Sequence, residues 1–323
     1  MSRFSELGNA LYSGEKSVDF VGRRKIWYSI AALVVALAVI LPIARGGFQL
    51  GIEFRGGSEF RVSASAEQGD QKARDTVHAI LPGVEPLVST VGTDDLRIQT
   101  TKLTDVQAEE IRTSLAKAYG VESSAVSSSF IGPSWGQEIT GKAITGLLWF
   151  IGLAAVLMAL YFRTIKMSAA AILALIHDLV VTAGIYGALG FEVTPAAVIG
   201  FLTILGYSLY DTVVVFDKIR ENTFEVEFSE TATFKERVNL AINQTLVRSI
   251  NTSVVAVLPV AAILFIGSVF LGAGTLKDIS LALFIGIIVG TYSTIFIAAP
   301  FYSHLREGEK LYKDAAVKVL ARR

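Results

Sequence analysis

A carboxylate inside a long apolar stretch is the residue of this chain with the clearest chemical potential. Asp211 lies in the apolar run that begins near Ala196 and ends at Phe216. At about 1.5 Å per residue along a helix, Asp211 would lie about 22 Å from Ala196 and about 9 Å from Asp217. Burying a carboxylate at that depth of a bilayer costs about 2.5–3.5 kcal/mol on insertion scales. We therefore expect Asp211 to have a partner, a water path or a proton to carry; a structural hydrogen bond to a neighbouring helix is the alternative.

An arginine on the next apolar stretch is the candidate partner of Asp211. The apolar core from Val254 to Ile266 is too short to cross a bilayer, which takes roughly 20 residues. The span must recruit part of residues 244–253, which brings Arg248 to the membrane edge at a depth comparable with that of Asp211. A guanidinium within about 4–6 Å would hold the carboxylate ionised, and its withdrawal would favour protonation, so the pair predicts a proton switch. The alternative for Arg248 is a side chain that extends to the lipid headgroups.

Two further titratable residues lie about halfway through the third apolar stretch, which runs from Ser168 to Leu189. His177 and Asp178 are adjacent, so on a helix they point about 100° apart and at most one faces Asp211 directly. Placing two titratable side chains inside a membrane span costs free energy, so we predict that they serve as a polar relay. Polar residues that would line a wet path, or else bond neighbouring helices, are Ser208, Thr212, Asn243, Gln244, Asn251, Thr252 and Ser253.

The residue types that many catalytic and metal sites use are scarce. The chain has no cysteine, which excludes disulfides, thiol catalysis and thiolate metal sites. Its 3 histidines, His78, His177 and His304, lie far apart with no ligand spacing. We expect no metal, no cofactor, no catalytic residue and no nucleic-acid partner. An intramembrane hydrolase with Asp211 and Asp178 as its carboxylates is kept as an alternative.

The elements that must position these residues are membrane spans. Of 323 residues, 52% are hydrophobic, and the mean hydropathy is +0.53, which is too apolar for an ordinary soluble domain. A polar N-terminal segment, residues 1–25, precedes a first span at residues 26–44. That run is too long for a signal peptide and lacks a small-residue cleavage site. Five more spans fall within residues 143–301, with a polar loop at about 217–243 and a basic tail at 302–323. The pattern predicts a polytopic α-helical membrane protein with six transmembrane helices.

A polar insert, residues 45–142, separates the first two spans. Its patterns predict a strand over 54–62, a helix over 70–81, strands over 87–91 and 96–100 around a turn at 92–95, and a strand over 125–131. Thr104 and Gln107 fit a capping box that opens a second helix, and Gly120 ends it. The order βαββαβ predicts a ferredoxin-like α+β domain.

The distribution of basic residues predicts the orientation. Outside the insert, lysine and arginine lie almost entirely in the N-terminal segment, the 163–166 turn, the 217–248 region and the tail. By the positive-inside rule, both termini are cytoplasmic and the insert is extracytoplasmic.

Several short motifs resemble the SecD/SecF family of bacterial protein-export membrane proteins, which belongs to the RND superfamily. Residues 51–57 are similar to the family's G-I-D-F-x-G-G entry to the outer domain, with Glu53 in place of aspartate; the matching residues are Gly51, Phe54, Gly56 and Gly57. On the third and fourth spans the matching residues are His177, Asp178, Gly206, Tyr207, Ser208, Asp211, Asp217, Arg220 and Asn222, and Tyr210 replaces the usual asparagine. On the fifth they are Asn243, Gln244, Arg248, Thr252 and Ser253. The resemblance covers roughly residues 21–300.

The resemblance implies a subunit that pairs with SecD to complete a two-half bundle. Such a pair assists the SecYEG channel and SecA in moving unfolded polypeptides across the bacterial cytoplasmic membrane, with protons as the energy source. It implies that Asp211 and Arg248 form the proton pathway, to which His177 and Asp178 are added here as candidates. Half of an RND-type proton-driven exporter of small molecules or lipids is the alternative, although such exporters usually have larger outer domains and both halves in one chain.

Overall fold

Long apolar helices dominate the computed structural model, which describes residues 3–63, 69–91, 95–224, 231–267 and 274–322. The helices are α1 (Arg3–Ser13), α2 (Arg24–Ala44), α3 (Ile52–Arg55), α4 (Asp70–Ile80), α5 (Asp105–Tyr119), α6 (Pro133–Phe162), α7 (Ile165–Leu189), α8 (Pro195–Asn222), α9 (Phe234–Ala262), α10 (Gly274–Ser293), α11 (Ala299–Glu307) and α12 (Lys310–Ala321). The strands are β1 (Gln49–Leu50), β2 (Gly57–Val62), β3 (Leu87–Val91), β4 (Asp95–Thr100), β5 (Val126–Ile131) and β6 (Glu192–Val193). Within the described ranges, 6 helical stretches are long and apolar enough to span a membrane, which confirms the predicted number of spans.

Four strands and two helices form the α+β domain between α2 and α6. The sheet order is β3-β4-β2-β5, and all neighbouring strands are antiparallel. Helices α4 and α5 cover one face, where Phe60, Val77, Ile98 and Ile111 are fully buried. This topology is that of a ferredoxin-like sandwich, as predicted. Residues 92–94 of the predicted turn lie outside the described residues.

Helix α5 begins and ends at the residues that the sequence indicates. The Thr104 hydroxyl accepts a hydrogen bond from the Gln107 amide at 3.3 Å, and the Gln107 side chain accepts one from the Thr104 amide at 3.0 Å. Gly120 follows with φ 68°, a left-handed conformation that glycine adopts without strain. Both predicted signals are confirmed.

The entry to the domain differs from the strand predicted over residues 54–62. Phe54 lies in α3, a single helical turn, and β2 begins only at Gly57. Gly56 has φ 75° and Gly57 has φ 152°, and a Cβ on Gly57 would lie 2.4 Å from the Thr100 carbonyl oxygen. Because side-chain-bearing residues rarely adopt these conformations, the two glycines fix a sharp turn where the alternation of apolar residues suggested a straight strand.

Helices α7, α8 and α10 form the centre of the bundle. Their apolar windows are 56%, 44% and 56% buried, against 11% for α2 and α6 and 17% for α9. Glycines bring α8 and α10 together: a Cβ on Gly286 would lie 2.3 Å from Ile204, and one on Gly290 would lie 3.1 Å from the Ser208 Cβ. The backbone of α10 therefore packs directly against side chains of α8, and no free space remains around a Cβ at Gly286 or Gly290.

The fifth span is long because α9 begins far from the apolar core. α9 starts at Phe234 and continues through a π-helical turn, Ile263–Gly267. Residues 244–253 are therefore helical and continuous with the apolar core; that part of them lies in the membrane remains a prediction. A second π-helical turn, Thr294–Ala298, joins α10 to α11. Residues 225–230 of the predicted polar loop lie outside the described residues.

The two ends of the bundle carry different structures. We call the end that carries the α+β domain the domain face and the opposite end, where α1 and α12 lie, the terminal face. At the domain face, β1 pairs with β6 in parallel, so the chain leaving α2 is tied to the connection between α7 and α8. The Gly51 amide donates to the Val193 carbonyl at 2.9 Å and extends this pairing.

The predicted basic tail forms a helix that packs on the terminal face. Tyr312, Ala315 and Val319 are buried along one side of α12. The Tyr312 ring lies 4.3 Å from the ring of Phe234, at the start of α9. Glu309, just before α12, accepts a hydrogen bond from Lys166 Nζ at 2.8 Å. The apolar spacing of 312, 315 and 319 is that of one helix face, a pattern that the sequence analysis did not use.

Candidate functional site

Asp211 is buried in the centre of the bundle and anchored by α9. Its exposed fraction is 6%, and the fully buried Ser249 donates a hydrogen bond from Oγ to Asp211 Oδ1 at 2.8 Å. Within the described part of the chain, Asp211 Oδ2 is buried and has no hydrogen-bond partner. A carboxyl group with one anchored oxygen and one open oxygen can gain or lose a proton without losing its anchoring bond.

Arg248 does not contact Asp211 in this conformation. It is adjacent to Ser249, so its side chain points about 100° away from the residue that holds Asp211. Arg248 is exposed and lines a cavity of about 770 Å³ at the terminal face, together with Asp217, Val214 and Thr245. Val214 is one helical turn from Asp211, a rise of about 4.5 Å. The direct pair remains a prediction that requires Arg248 to move, and the cavity already reaches within one turn of the carboxylate.

Asp178 is the second buried carboxylate, and α8 and α10 hold it. It is 1% exposed; Ser208 donates to Oδ2 at 2.5 Å and Ser293 donates to the same oxygen at 2.8 Å. His177 Nδ1 lies 3.1 Å from Asp178 Oδ1, so the two adjacent side chains meet although their backbone directions diverge. The His177 ring lies 5.8 Å from the ring of Tyr292, and its Nε2 has no partner among the described residues.

Hydroxyl groups lie next to both carboxylates. Thr212, next to Asp211, lies 3.0 Å from Thr294 (Oγ1 to Oγ1), and its hydroxyl is also 3.0 Å from the Ser208 carbonyl. Ser208 is the residue that donates to Asp178. The structure thus brings Asp211 and Asp178 into one polar network on α7, α8, α9 and α10, without a direct hydrogen bond between the two carboxylates in the described residues.

A second branch of hydroxyls lies on the domain side of Ser249. Ser253 lies 2.5 Å from Thr291 (Oγ to Oγ1) and 3.3 Å from the Tyr207 hydroxyl. Ser253 also donates to the Ser249 carbonyl at 2.9 Å. Of the residues predicted to line a wet path, Asn251 is exposed instead.

The remaining motif residues of α8 lie at the terminal face. Asp217 is exposed and accepts a hydrogen bond from the Tyr161 hydroxyl at 3.2 Å. Asn222 donates to the Gln244 side chain at 2.8 Å and ties α8 to α9. Arg220 lines the cavity beside Arg248. Tyr210 is 57% exposed and points away from the buried network, and Gly206 has no atom within 4 Å of a Cβ position.

Asn243 ties the N-terminal segment to α9. Its Oδ1 accepts a hydrogen bond from the Val18 amide at 2.8 Å, and its Nδ2 donates to the Val18 carbonyl at 2.9 Å. The neighbouring Asn239 accepts from the Phe20 amide at 2.9 Å. The side-chain amides of Asn243 and Asn239 therefore bind the backbone of the N-terminal segment and do not line a path to Asp211.

The glycine motif after α2 builds the junction between the α+β domain and the bundle. A Cβ on Gly136, in the first turns of α6, would lie 2.3 Å from the Phe54 carbonyl oxygen, so α6 packs directly on α3. Arg97 on β4 forms an ion pair with Glu192 on β6. The sequence analysis missed Arg97 and Glu192 because a contact between distant segments leaves no local pattern. The one signal was an acidic residue, Glu192, in the very short loop between α7 and α8.

Ser249, Ser293 and Thr294 were also missed in the sequence, and all three are fully buried in the polar network. A signal did exist for Ser249, since it follows Arg248 on the same stretch of the predicted span. In the described ranges, no group of three or more histidine, aspartate and glutamate side chains is placed to hold a metal ion.

Comparison with known proteins identifies the family. Residues 111–308 match the model of the protein export membrane protein SecD/SecF, C-terminal, and residues 43–67 match the SecD/SecF GG motif. The chain belongs to the SecD/SecF family. Over its whole length it is 46% identical to the protein translocase subunit SecF of Streptomyces coelicolor and covers 86% of that protein. Over 97% of its length it is 42% identical to the SecF of Mycobacterium tuberculosis H37Rv, of which it covers 72%.

A solved member of the SecD/SecF family has the same fold. The crystal structure of SecDF from Thermus thermophilus superposes with a TM-score of 0.79 at 31% identity and covers 90% of this chain. This chain covers only 39% of that protein. The fold, a multi-pass helical bundle with a ferredoxin-like domain between its first two spans, is therefore a family property.

Proposed function

We propose that this chain acts as the SecF subunit of the bacterial Sec protein-export machinery. With SecD, it would use the proton gradient to assist the translocation of unfolded polypeptides that SecA and the SecYEG channel drive across the cytoplasmic membrane. Relatives that match nearly all of the chain carry the name protein translocase subunit SecF, which supports this function over a small-molecule or lipid exporter.

The observation that carries the proton-driven part of the proposal is the state of Asp211. It is buried inside the bundle, one oxygen is anchored by Ser249, and the other has no partner in the described structure. A cavity on the terminal face reaches Val214, one turn away. Keeping a carboxylate there is costly unless it exchanges a proton or gains a partner. Arg248, which lines the same cavity, is the partner that the proposal assigns to the ionised form.

The polar network extends the proposed pathway beyond Asp211. Asp178, with His177 beside it, is linked to the Asp211 region through Ser208, Thr212 and their neighbours on α10. Because Thr212 donates to the Ser208 backbone carbonyl and not to its hydroxyl, a proton would need water or a rotated hydroxyl to cross between Thr212 and Ser208. We assign His177 and Asp178 to the side of the pathway nearer the domain face.

The proposed orientation rests on charge. The terminal face carries the basic N-terminal segment, the 163–166 turn and the C-terminal helix, so we place it in the cytoplasm and the α+β domain outside. Residues 1–25 and 302–323 are then cytoplasmic segments, residues 45–142 the extracytoplasmic unit, and residues 26–44 and 143–301 the membrane part.

The proposed association with SecD follows from the incomplete bundle. The long helices α2, α6 and α9 are mostly exposed, and Gly146 and Gly152 on α6 have open space around their Cβ positions. Small residues on an exposed membrane helix allow a second helix to approach closely. The matched SecDF chain is much longer than this one and joins both names in a single protein, which supports a second half as the partner.

Replacing Asp211 with asparagine tests the proposed function. Asp211→Asn keeps the shape and can accept the Ser249 hydrogen bond, but it cannot exchange a proton. We expect normal assembly with SecD and loss of the stimulation of export by a proton gradient. Arg248→Lys should be partly defective because a point charge replaces a planar guanidinium.

Asp217→Asn is the matched control, since it makes the same change on the same helix at an exposed position. It should export nearly as well as the unaltered chain. Normal gradient-stimulated export by Asp211→Asn would show that the carboxylate is only structural.

A further inference from the structure

A second group of buried acidic side chains lies at the domain face, where the α+β domain meets the bundle. Glu53 is on α3, within the glycine motif, and Glu192 is on β6, between α7 and α8. The Glu192 side chain is 10% exposed, and its Oε2 pairs with Arg97. In the described part of the chain, Glu53 Oε2 and Glu192 Oε1 are buried without a hydrogen-bond partner.

Both open oxygens lie beside Gly51. A Cβ on Gly51 would lie 2.3 Å from Glu53 Oε2 and 3.2 Å from Glu192 Oε1. Gly51 leaves this space free, and its amide donates to the Val193 carbonyl, so the backbone holds both carboxyl groups beside the same glycine. Two ionised carboxylates so placed would repel each other, and each would leave a buried acceptor unsatisfied.

Gln99 is a neighbouring amide donor, and its hydrogen bond opposes the rise in the pKa of Glu192. Glu59 on β2 accepts from Gln99 Nε2 at 3.1 Å, and Gln99 Oε1 is itself without a donor. Asp278 on α10 accepts from the Thr194 hydroxyl at 2.7 Å. Tyr186 on α7 donates to the Asp278 backbone carbonyl, and the charge of Lys277 acts on Asp278. The cluster has an excess of acceptors.

We propose that Glu53 and Glu192 bind one proton between them and that this proton fastens the α+β domain to the bundle. The proton, taken from water at the domain face, resides on Glu53 Oε2 and is donated to Glu192 Oε1. Glu192 stays ionised and keeps its ion pair with Arg97. Counting Glu53, Glu192 and Arg97, the cluster changes from a net charge of −1 to neutral, and both open oxygens gain a partner.

The expected pH dependence has a definite sign. Burial raises the pKa of the Glu53 carboxyl above its ordinary value of 4.5, and Glu59 and Asp278 add to this, while a backbone hydrogen bond and Arg97 oppose it. Burial also raises the pKa of Glu192, and the charges of Glu53 and Asp278 add to this, while Arg97 and a hydrogen bond from Gln99 oppose it. A group whose pKa is raised in the docked state stabilises docking below its ordinary pKa, and this contribution is lost as the pH rises through the raised value. Docking should therefore be firm in acid and weaker towards neutral pH, by up to about tenfold in the docking equilibrium per pH unit.

Distances between two spin labels test the proposal. Ser127→Cys on β5 and Leu276→Cys at the start of α10 place labels on exposed positions of the domain and the bundle in a chain that has no other cysteine. The full chain in lipid nanodiscs is measured by pulsed electron resonance at about pH 5 and about pH 8. We expect one narrow distance distribution in acid and a second, broader one at the higher pH. Identical distributions at the two pH values would overturn the proposal. This experiment leaves Glu53 and Glu192 unaltered.

Two variants distinguish a shared proton from a bound metal ion and from a general effect of pH on the chain. Glu53→Gln supplies a permanent donor, so the narrow distribution should persist at about pH 8. Glu59→Gln, on the neighbouring strand β2, should respond to pH as the parent does. A Glu53→Gln chain that broadens like the parent contradicts the proposal. So does recovery of the narrow distribution at high pH on addition of Ca²⁺ or Mg²⁺ alone, since that would identify a metal site. The test does not depend on Asp211 carrying protons.

Discussion

Adding one methyl group at Gly286 tests whether the close approach of α8 and α10 holds the buried polar network. The new Cβ would lie 2.3 Å from Ile204 Cγ1 and 2.9 Å from Cγ2, whereas carbon atoms in contact prefer about 3.5–4.0 Å. Ile204 is 1% exposed, so it has no free space to move into. Overpacking of this kind costs about 1–3 kcal/mol. The higher helix propensity of alanine offsets this cost by at most about 1 kcal/mol of stability.

A double-mutant cycle removes the propensity contribution. Ile204→Ala deletes the two closest of the three atoms that the new methyl group meets and leaves the Cβ at 3.0 Å. Alone it should cost about 2–5 kcal/mol through the cavity it leaves. Because the change from glycine to alanine is the same in both backgrounds, the coupling energy reports the steric conflict. We expect the double variant to be more stable than the sum of the single variants by about 1–3 kcal/mol.

The assay is unfolding of the purified chain in mixed micelles with increasing denaturing detergent, followed by tryptophan fluorescence. Gly152→Ala is the control, because nothing lies within 4 Å of its Cβ position and no loss of stability is expected. A coupling energy within about 0.5 kcal/mol of zero would refute the close-packing argument.

Two further predictions concern orientation and partnership. Ser127→Cys and Ser13→Cys, both at exposed positions, should differ in intact cells: a membrane-impermeant thiol reagent should label the former and spare the latter, and labelling of Ser13→Cys would overturn the proposed orientation. Depletion of SecD should lower the cellular level of this chain because the lone half leaves apolar helices unpaired; unchanged abundance together with a monodisperse monomer would count against the shared bundle.

Local sequence patterns correctly predicted features that depend on neighbouring residues, such as helix ends and the number of spans. The Thr104 capping box and Gly120 set the bounds of α5, and the length of the apolar runs set the number of spans. The prediction of a strand over 54–62 was partly wrong, because an alternation of apolar residues gives no information on the positive φ angles of Gly56 and Gly57. Helices at the two termini were not predicted, since their apolar faces are short and matter only once they pack on α9.

The sequence named the titratable residues of the candidate site but not their contacts; their proposed roles remain predictions. Depth along the run identified Asp211, and the need to lengthen the fifth span placed Arg248 near it. Which residue of α9 faces Asp211 depends on the rotation of the helix, and one position along the chain changes the direction by about 100°. The structure gives that place to Ser249 and turns Arg248 to the cavity. The Glu53–Glu192 pair depends on chain segments far apart in sequence, so no local pattern indicated it.

Proton flux is the measurement that tests the central claim most directly. The chain and its SecD partner are reconstituted together in liposomes, and proton uptake is recorded with an internal pH dye after a pH gradient is imposed. We predict flux above that of protein-free liposomes for the parent and for Asp217→Asn, and flux at the protein-free level for Asp211→Asn. Equal flux in the Asp211→Asn and parent proteins would contradict the assignment of Asp211 as the proton-carrying group.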